Sequence, residues 1–245
     1  MKLLRVFPEL NSYTPIDDLV WIGEPGMFIP DHDEVHISCT FTWDMDYCEW
    51  LCLQWQAATD KQVKLGGPAY GSPCHDFIPG RYVREGITFT SRGCPNKCEF
   101  CFVPKREGKL VELPITMGNI IQDNNFLACS RDHKKKVFEM LKTQKGICFK
   151  GGLQTNLIDH WFVDQIKNLR IAELWFACDT DKALPDLIKA AEILKPLKYS
   201  RHKLKCYVLV GENMDREEQR LRTVYELGFM PFAMLYQPKG RKKKE

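Results

Sequence analysis

The sequence predicts an α/β fold: a small α/β unit over residues 1–80, then a longer series of β/α units over residues 81–237. Two patterns point there. Short runs rich in β-branched and aromatic residues alternate with helix-length segments carrying one apolar stripe, as parallel strands joined by crossover helices require. Gly and Pro clusters, such as Gly66-Gly67-Pro68, punctuate the runs where the chain must turn.

In the first unit, Lys2–Phe7 is a strand that Pro8 ends. Residues Leu10–Asp33 hold three prolines and two glycines, so this stretch is expected as loop with brief extended pieces. Val35–Phe41 is β-branched and alternating, and is expected as a strand. Asp44 stands where it would cap a helix from Met45 to Ala58. Lys61–Leu65 is the strand that follows it.

The second unit opens with a strand over Gly86–Ser91. The second strand is Gly118–Asn125, with a polar end. A helix over Ser130–Gln144 follows, with Ser130 as its cap, Val137, Met140 and Leu141 as its apolar stripe and Lys134–Lys136 facing water. Ile147–Gly152 is the third strand. Helix Asp159–Leu169 leads to Glu173–Asp179, helix Leu184–Leu194 to Lys205–Gly211, and helix Arg216–Leu227 to Met230–Tyr236. The periodicity predicts this alternation, hence a parallel sheet or barrel.

Chemistry concentrates after the first strand of this series, in Thr90-Ser-Arg-Gly-Cys94-Pro-Asn-Lys-Cys98-Glu-Phe-Cys101. Gly93 and Pro95 make a tight loop in which three thiolates at C-x3-C-x2-C spacing can converge. Soft thiolates select iron–sulfur clusters or zinc. A zinc loop is one reading, although such loops usually pair C-x2-C or C-x4-C units and need a fourth protein ligand. Cys94, Cys98, Phe100 and Cys101 together resemble the signature of the radical S-adenosylmethionine (radical SAM) family.

The resemblance implies a partial (β/α)6 barrel with Cys94, Cys98 and Cys101 holding three irons of a [4Fe–4S] cluster. S-adenosylmethionine (SAM) would chelate the fourth iron, and an electron donor such as flavodoxin or ferredoxin would reduce the cluster. Reductive cleavage of SAM would yield a 5′-deoxyadenosyl radical acting on an unidentified substrate: a nucleic-acid base, a peptide or a small metabolite. Phe100 would pack beside the cluster. Chemistry in such barrels lies at the carboxyl ends of the strands. The cofactor would therefore meet Asp123 and Asn124 after the second strand, in place of the family's usual Gly-Gly-Glu. It would meet Gly151 and Gly152 after the third, Asp179 after the fourth through its ribose hydroxyls, and Val210 and Gly211 after the fifth through its adenine. The first unit resembles the cobalamin-binding-type domain of one branch, truncated and without its D-x-H-x-x-G motif: neither His32 nor His36 has a glycine three residues on.

The other cysteines divide by position. Cys39, Cys48, Cys52, Cys148 and Cys206 read as packing residues, whereas Cys74, Cys129 and Cys178 fall in loops or at strand ends where they could reach a site. In a methylthiotransferase-like alternative, Cys39, Cys48, Cys52 and Cys74 would supply a second cluster. A non-catalytic zinc or iron–sulfur protein is the alternative from another class. A net charge of +3 does not call for a nucleic-acid or membrane partner. The eleven cysteines, odd in number and scattered, argue for a reducing compartment, and no apolar run is long enough to cross a bilayer. The amino terminus is too short and charged for a signal peptide, so the expectation is a cytoplasmic protein. Loops over Gly23–Pro30 and Gly71–Arg84 have the length to shape a site. The basic tail, residues 238–245, is expected as a solvated end that could contact phosphates.

Overall fold

Leu3–Phe7 (β1), Val20–Ile22 (β2), Glu34–Ser38 (β3) and Gln62–Gly66 (β4) form an all-parallel sheet in the order β2-β1-β3-β4. The computed structural model describes residues 1–71 and 77–236; Cys74 and the basic tail lie outside the described residues. The helix α1 (Met45–Ala58) covers one face of this sheet. Its Cys48, Leu51 and Trp55 share a buried core with Leu4, Val6, Val35 and Ile37. Helical spacing puts Cys48, Leu51 and Trp55 on one side, which is why this stretch folds as a helix over that sheet. The expected strand Val35–Phe41 stops at Ser38; the Cys39 N–H still donates to Gly66 O at 2.8 Å, and its carbonyl then accepts from Ala69 N at 3.1 Å, where the partner strand has ended. Asp44 makes no capping bond, since a short 3-10 turn over Thr42–Asp44 already leads the chain into α1.

This first unit spans Met1–Glu85, and a second begins at Gly86. The second unit contains, in chain order, β5 (Ile87–Thr88), β6 (Ser91–Arg92), α2 (Val103–Arg106), β7 (Val111–Glu112), β8 (Ile120–Ile121), α3 (Arg131–Leu141), β9 (Ile147–Leu153), α4 (His160–Ile166), β10 (Ile171–Ala177), α5 (Leu184–Leu194), β11 (Leu204–Val210), α6 (Met214–Glu226) and β12 (Met230–Leu235). Six strands form one parallel sheet in the order β12-β11-β10-β9-β8-β5, so each successive sheet strand lies beside the one before it.

In such a sheet, right-handed crossovers place every connecting helix on the same face. The core shows that placement. Val137, Phe138 and Leu141 of α3, Phe162 of α4, Leu187 of α5 and Val224 of α6 share one buried cluster with Phe149, Leu174, Phe176, Cys206 and Val208 of the strands. The residues alternating with these, Glu173, Trp175, Lys205 and Tyr207, belong to the opposite face.

Two expected elements are shorter than their sequence suggests. The strand expected over Gly86–Ser91 is in the sheet only at Ile87–Thr88, and the chain then leaves to pair Ser91 with Glu112 and Arg92 with Val111 in an antiparallel ribbon. The strand expected over Gly118–Asn125 pairs only at Ile120–Ile121, because the polar side chains that follow bond to the first strand's loop instead. Ser130 caps α3 as expected, accepting from His133 N at 3.2 Å. Lys134 departs from its expected place in water: its ammonium donates to Leu127 O at 2.8 Å, which draws the side chain inward. No helix among the described residues is long and apolar enough to cross a membrane.

Candidate functional site

The β6–β7 ribbon holds the cysteine loop at both ends. Gly93 turns the chain with φ 77°, and a Cβ there would overlap the Lys109 carbonyl oxygen, so only glycine fits. Cys94 N donates to Gly108 O at 3.3 Å, and Cys101 N donates to Cys98 O at 3.1 Å. Beneath the loop, Arg92 pairs with Glu107 at 2.7 Å with both side chains about nine-tenths buried. The Gly93 N–H is shared between Glu107 Oε2 at 3.3 Å and Asn124 Oδ1 at 3.0 Å.

Burial pushes the thiols of Cys98 and Cys101 above the ordinary thiol value, and the Cys94 thiolate and the Asp179 carboxylate add to the rise. Cys98 and Cys101 therefore lie close enough to Cys94 and Asp179 to feel their charge. Phe100 is half-buried in the same loop. Among the described residues, no three His, Cys, Asp or Glu side chains gather tightly enough to hold a single metal ion. A four-iron cluster takes each thiolate on a different iron, so three soft donors spread along one short loop are a donor set suited to it.

The strand ends supply the surroundings. Asp179 follows Ala177 and Cys178 at the end of β10. Cys178 is buried in the helix-side core, so alternation directs Asp179 to the face of Trp175 and Glu173. Burial pushes its carboxyl up to about 6, partly offset by the Arg220 guanidinium and the Leu209 backbone. Val210 and Gly211 end β11 next to it. There the N–H groups of Gly211, Glu212 and Asn213 all donate to the Glu217 carboxylate, at 2.7–2.8 Å. Gly152 has φ 90° and open space where a side chain would stand.

Two of the expected site residues serve as support behind the cysteine loop. Asp123 is 2 % exposed, and its carboxylate accepts from Thr90 N at 2.6 Å, Thr90 Oγ1 at 2.5 Å and Ser91 Oγ at 2.8 Å. It anchors the start of the cysteine loop, buried and already engaged with three donors. Gly151 is close to backbone, as expected, but the backbone is that of Asp123: a Cβ would overlap the Asp123 carbonyl oxygen. Asn124 likewise uses its oxygen on Gly93. The structure thus brings Cys94, Cys98, Cys101, Asn124 and Asp179 to one place, with Asp123 and Gly151 as the support behind the loop.

Sequence reasoning missed an amide cluster on the same side. Gln154 Oε1 accepts from Asn96 Nδ2 at 2.8 Å and from Asn125 Nδ2 at 2.7 Å, and Asn125 Nδ2 also approaches Cys94 Sγ at 3.5 Å. The one available signal was the polar run Gln122–Asn125 directly after a strand. Of the cysteines expected near a site, Cys178 is buried in the helix-side core, and Cys129 is buried under Ser91, which bonds its thiol. In the first unit the hydrogen bond to Cys39, and then burial, hold the Cys48 thiol well above its ordinary value, and Cys52 is half-buried one turn on.

The face opposite the helices is layered below Asp179. Glu173 joins Lys205 at 2.6 Å and Lys150 at 3.6 Å, and above them Trp175 stacks on Tyr207 with ring centroids 4.6 Å apart, with Phe232 edge-on to both. No protein-family model matches the chain, and no curated protein matches it.

Proposed function

We propose that the chain is a radical SAM enzyme with a partial (β/α)6 barrel. The observation that carries this reading is the position of the thiol loop. It leaves the sheet after β5, the first of six parallel strands laid side by side in chain order, and the carboxylate that ends the fourth of them is near enough to Cys98 and Cys101 to raise both thiols. Sequential strands with all helices outside are the arrangement that curls toward a barrel. The helix-free face, with its layers of alternate side chains, is then the interior wall.

Cys94, Cys98 and Cys101 would hold the [4Fe–4S] cluster, which when bound supplies the electron that cleaves SAM to methionine and a 5′-deoxyadenosyl radical. The chain's own share is placement and exclusion. Asp123, Asn124 and Glu107 hold the loop by its backbone, so the thiols stay where the fold puts them. Asp179, half-buried, offers a carboxylate to the ribose hydroxyls. Gly152 leaves space for a close approach, and the strap of N–H bonds to Glu217 fixes the backbone around Gly211 for the adenine. The aromatic layer of Trp175, Tyr207 and Phe232 lines the interior with apolar surface beneath these groups.

Anaerobic reconstitution tests the proposal. The protein should turn brown, and with dithionite and SAM it should release 5′-deoxyadenosine, whereas the Cys98→Ala variant should release none. A colourless protein that binds zinc and leaves SAM intact would overturn it.

A further inference from the structure

Asn125 is 3 % exposed and sits just past the end of β8, and its amide has an arrangement that packing alone does not require. The Nδ2 group lies 2.7 Å from Gln154 Oε1 and 3.5 Å from Cys94 Sγ, so its two hydrogens have one partner each. The Oδ1 atom is buried without a hydrogen-bond partner. Turning the amide over would set that oxygen against the Gln154 oxygen, so the orientation is fixed from outside. Gln154 fixes it. Its own Nε2 donates to Asn156 Oδ1 at 2.7 Å, which leaves Oε1 to face both Asn125 and Asn96. Asn96 belongs to the cysteine loop itself, between Cys94 and Cys98. One glutamine at the end of β9 therefore clamps the loop and aims a buried donor at the first thiolate.

We infer that Asn125, oriented by Gln154, is a positioning residue that hydrogen-bonds the Cys94 sulfur and raises the reduction potential of the centre bound there. The inference rests on the cluster proposed above. A hydrogen bond to a ligating sulfur stabilises the more negatively charged, reduced state more than the oxidised one. In a buried place the effect is not screened by water. The unpartnered Oδ1 is the consequence: the amide faces the sulfur with its donor end at the cost of its acceptor end.

The test is a potentiometric titration of the reconstituted full-length chain without SAM, followed by electron paramagnetic resonance of the reduced state, with iron content measured alongside. Asn125→Leu keeps the approximate volume and deletes the donor. It is expected to hold about four irons per chain with a midpoint shifted to more negative potential. Gln154→Leu leaves Asn125 in place but frees its amide to turn, and is expected to shift the midpoint the same way by a smaller amount. Should Asn125→Leu fail to hold iron, Gln154→Leu carries the test. Full iron with an unmoved midpoint in the variant that carries the test overturns the role of Asn125 alone. A wild-type chain that takes up no iron overturns the cluster reading and this inference with it.

Discussion

Asp179 stands where an ionised carboxylate is costly. Burial raises its pKa from 3.8 to about 6, while Arg220 and the Leu209 backbone only partly compensate. A carboxyl whose folded pKa lies above its unfolded value binds its proton more tightly in the native state. Its contribution is therefore largest below the unfolded value and is lost as pH rises through about 6. In the metal-free chain, Asp179→Asn should raise stability at pH 7 by up to about 3 kcal/mol and make little difference near pH 4. Urea unfolding at the two pH values checks this, and an equal gap at both would count against a buried, proton-hungry carboxyl. Asp179 was legible in the sequence because it closes a strand whose alternation is plain. Asp123 was legible only as a polar strand end: its partners Thr90 and Ser91 lie 33 and 32 residues earlier, and nothing local announces that pairing. The Asn125–Gln154 contact, 29 residues apart, was hidden for the same reason.

Among the elements, the β6–β7 ribbon does most to shape the site. Its sequence reads as a continuation of the first strand, yet the two strands part after Thr88 because Asp123 captures Thr90 and Ser91 and bends the chain out of the sheet. The ribbon is locked by the Arg92–Glu107 pair, whose guanidinium also lies 4.7 Å from the centre of the Phe89 ring. Taking one partner from a buried ion pair strands the other charge, which costs about 3–5 kcal/mol. Exposed pairs such as Lys142–Glu139 contribute only about 0.2–1 kcal/mol. Glu107→Ala should thus loosen the loop and speed alkylation of Cys94, Cys98 and Cys101 by iodoacetamide in the metal-free chain. The double replacement Arg92→Met with Glu107→Leu fills the same space without charge and should recover much of the protection. Mass-spectrometric alkylation rates decide the matter: if Glu107→Ala labels no faster than wild type, the pair does not hold the loop.

Across the whole molecule, the alternation of runs was enough to predict an α/β first unit and a parallel sheet in the second, since strands separated by helix-length segments leave few other topologies. What it could not supply was strand order, which depends on pairings such as Lys205 with Met230 and Ile87 with Ile120 that no local pattern encodes. The order matters because it puts α3, α4, α5 and α6 on one face of the larger sheet and leaves the other to Glu173, Trp175, Lys205 and Tyr207. The two units also have separate buried cores. Leu51 and Trp55 anchor one, and no member of it recurs in the cluster around Phe149 and Phe176. Leu51 is fully buried between α1 and its sheet. Cutting it to alanine removes apolar contacts and leaves a cavity, which costs about 2–5 kcal/mol. If each core governs its own unfolding, Leu51→Ala should lower one calorimetric transition and leave a second at its wild-type temperature. The iron binding and SAM cleavage proposed for the second unit should stay at wild-type levels at temperatures below both transitions. A single transition that moves as a whole, with loss of iron in parallel, would mean that the two cores unfold as one cooperative system.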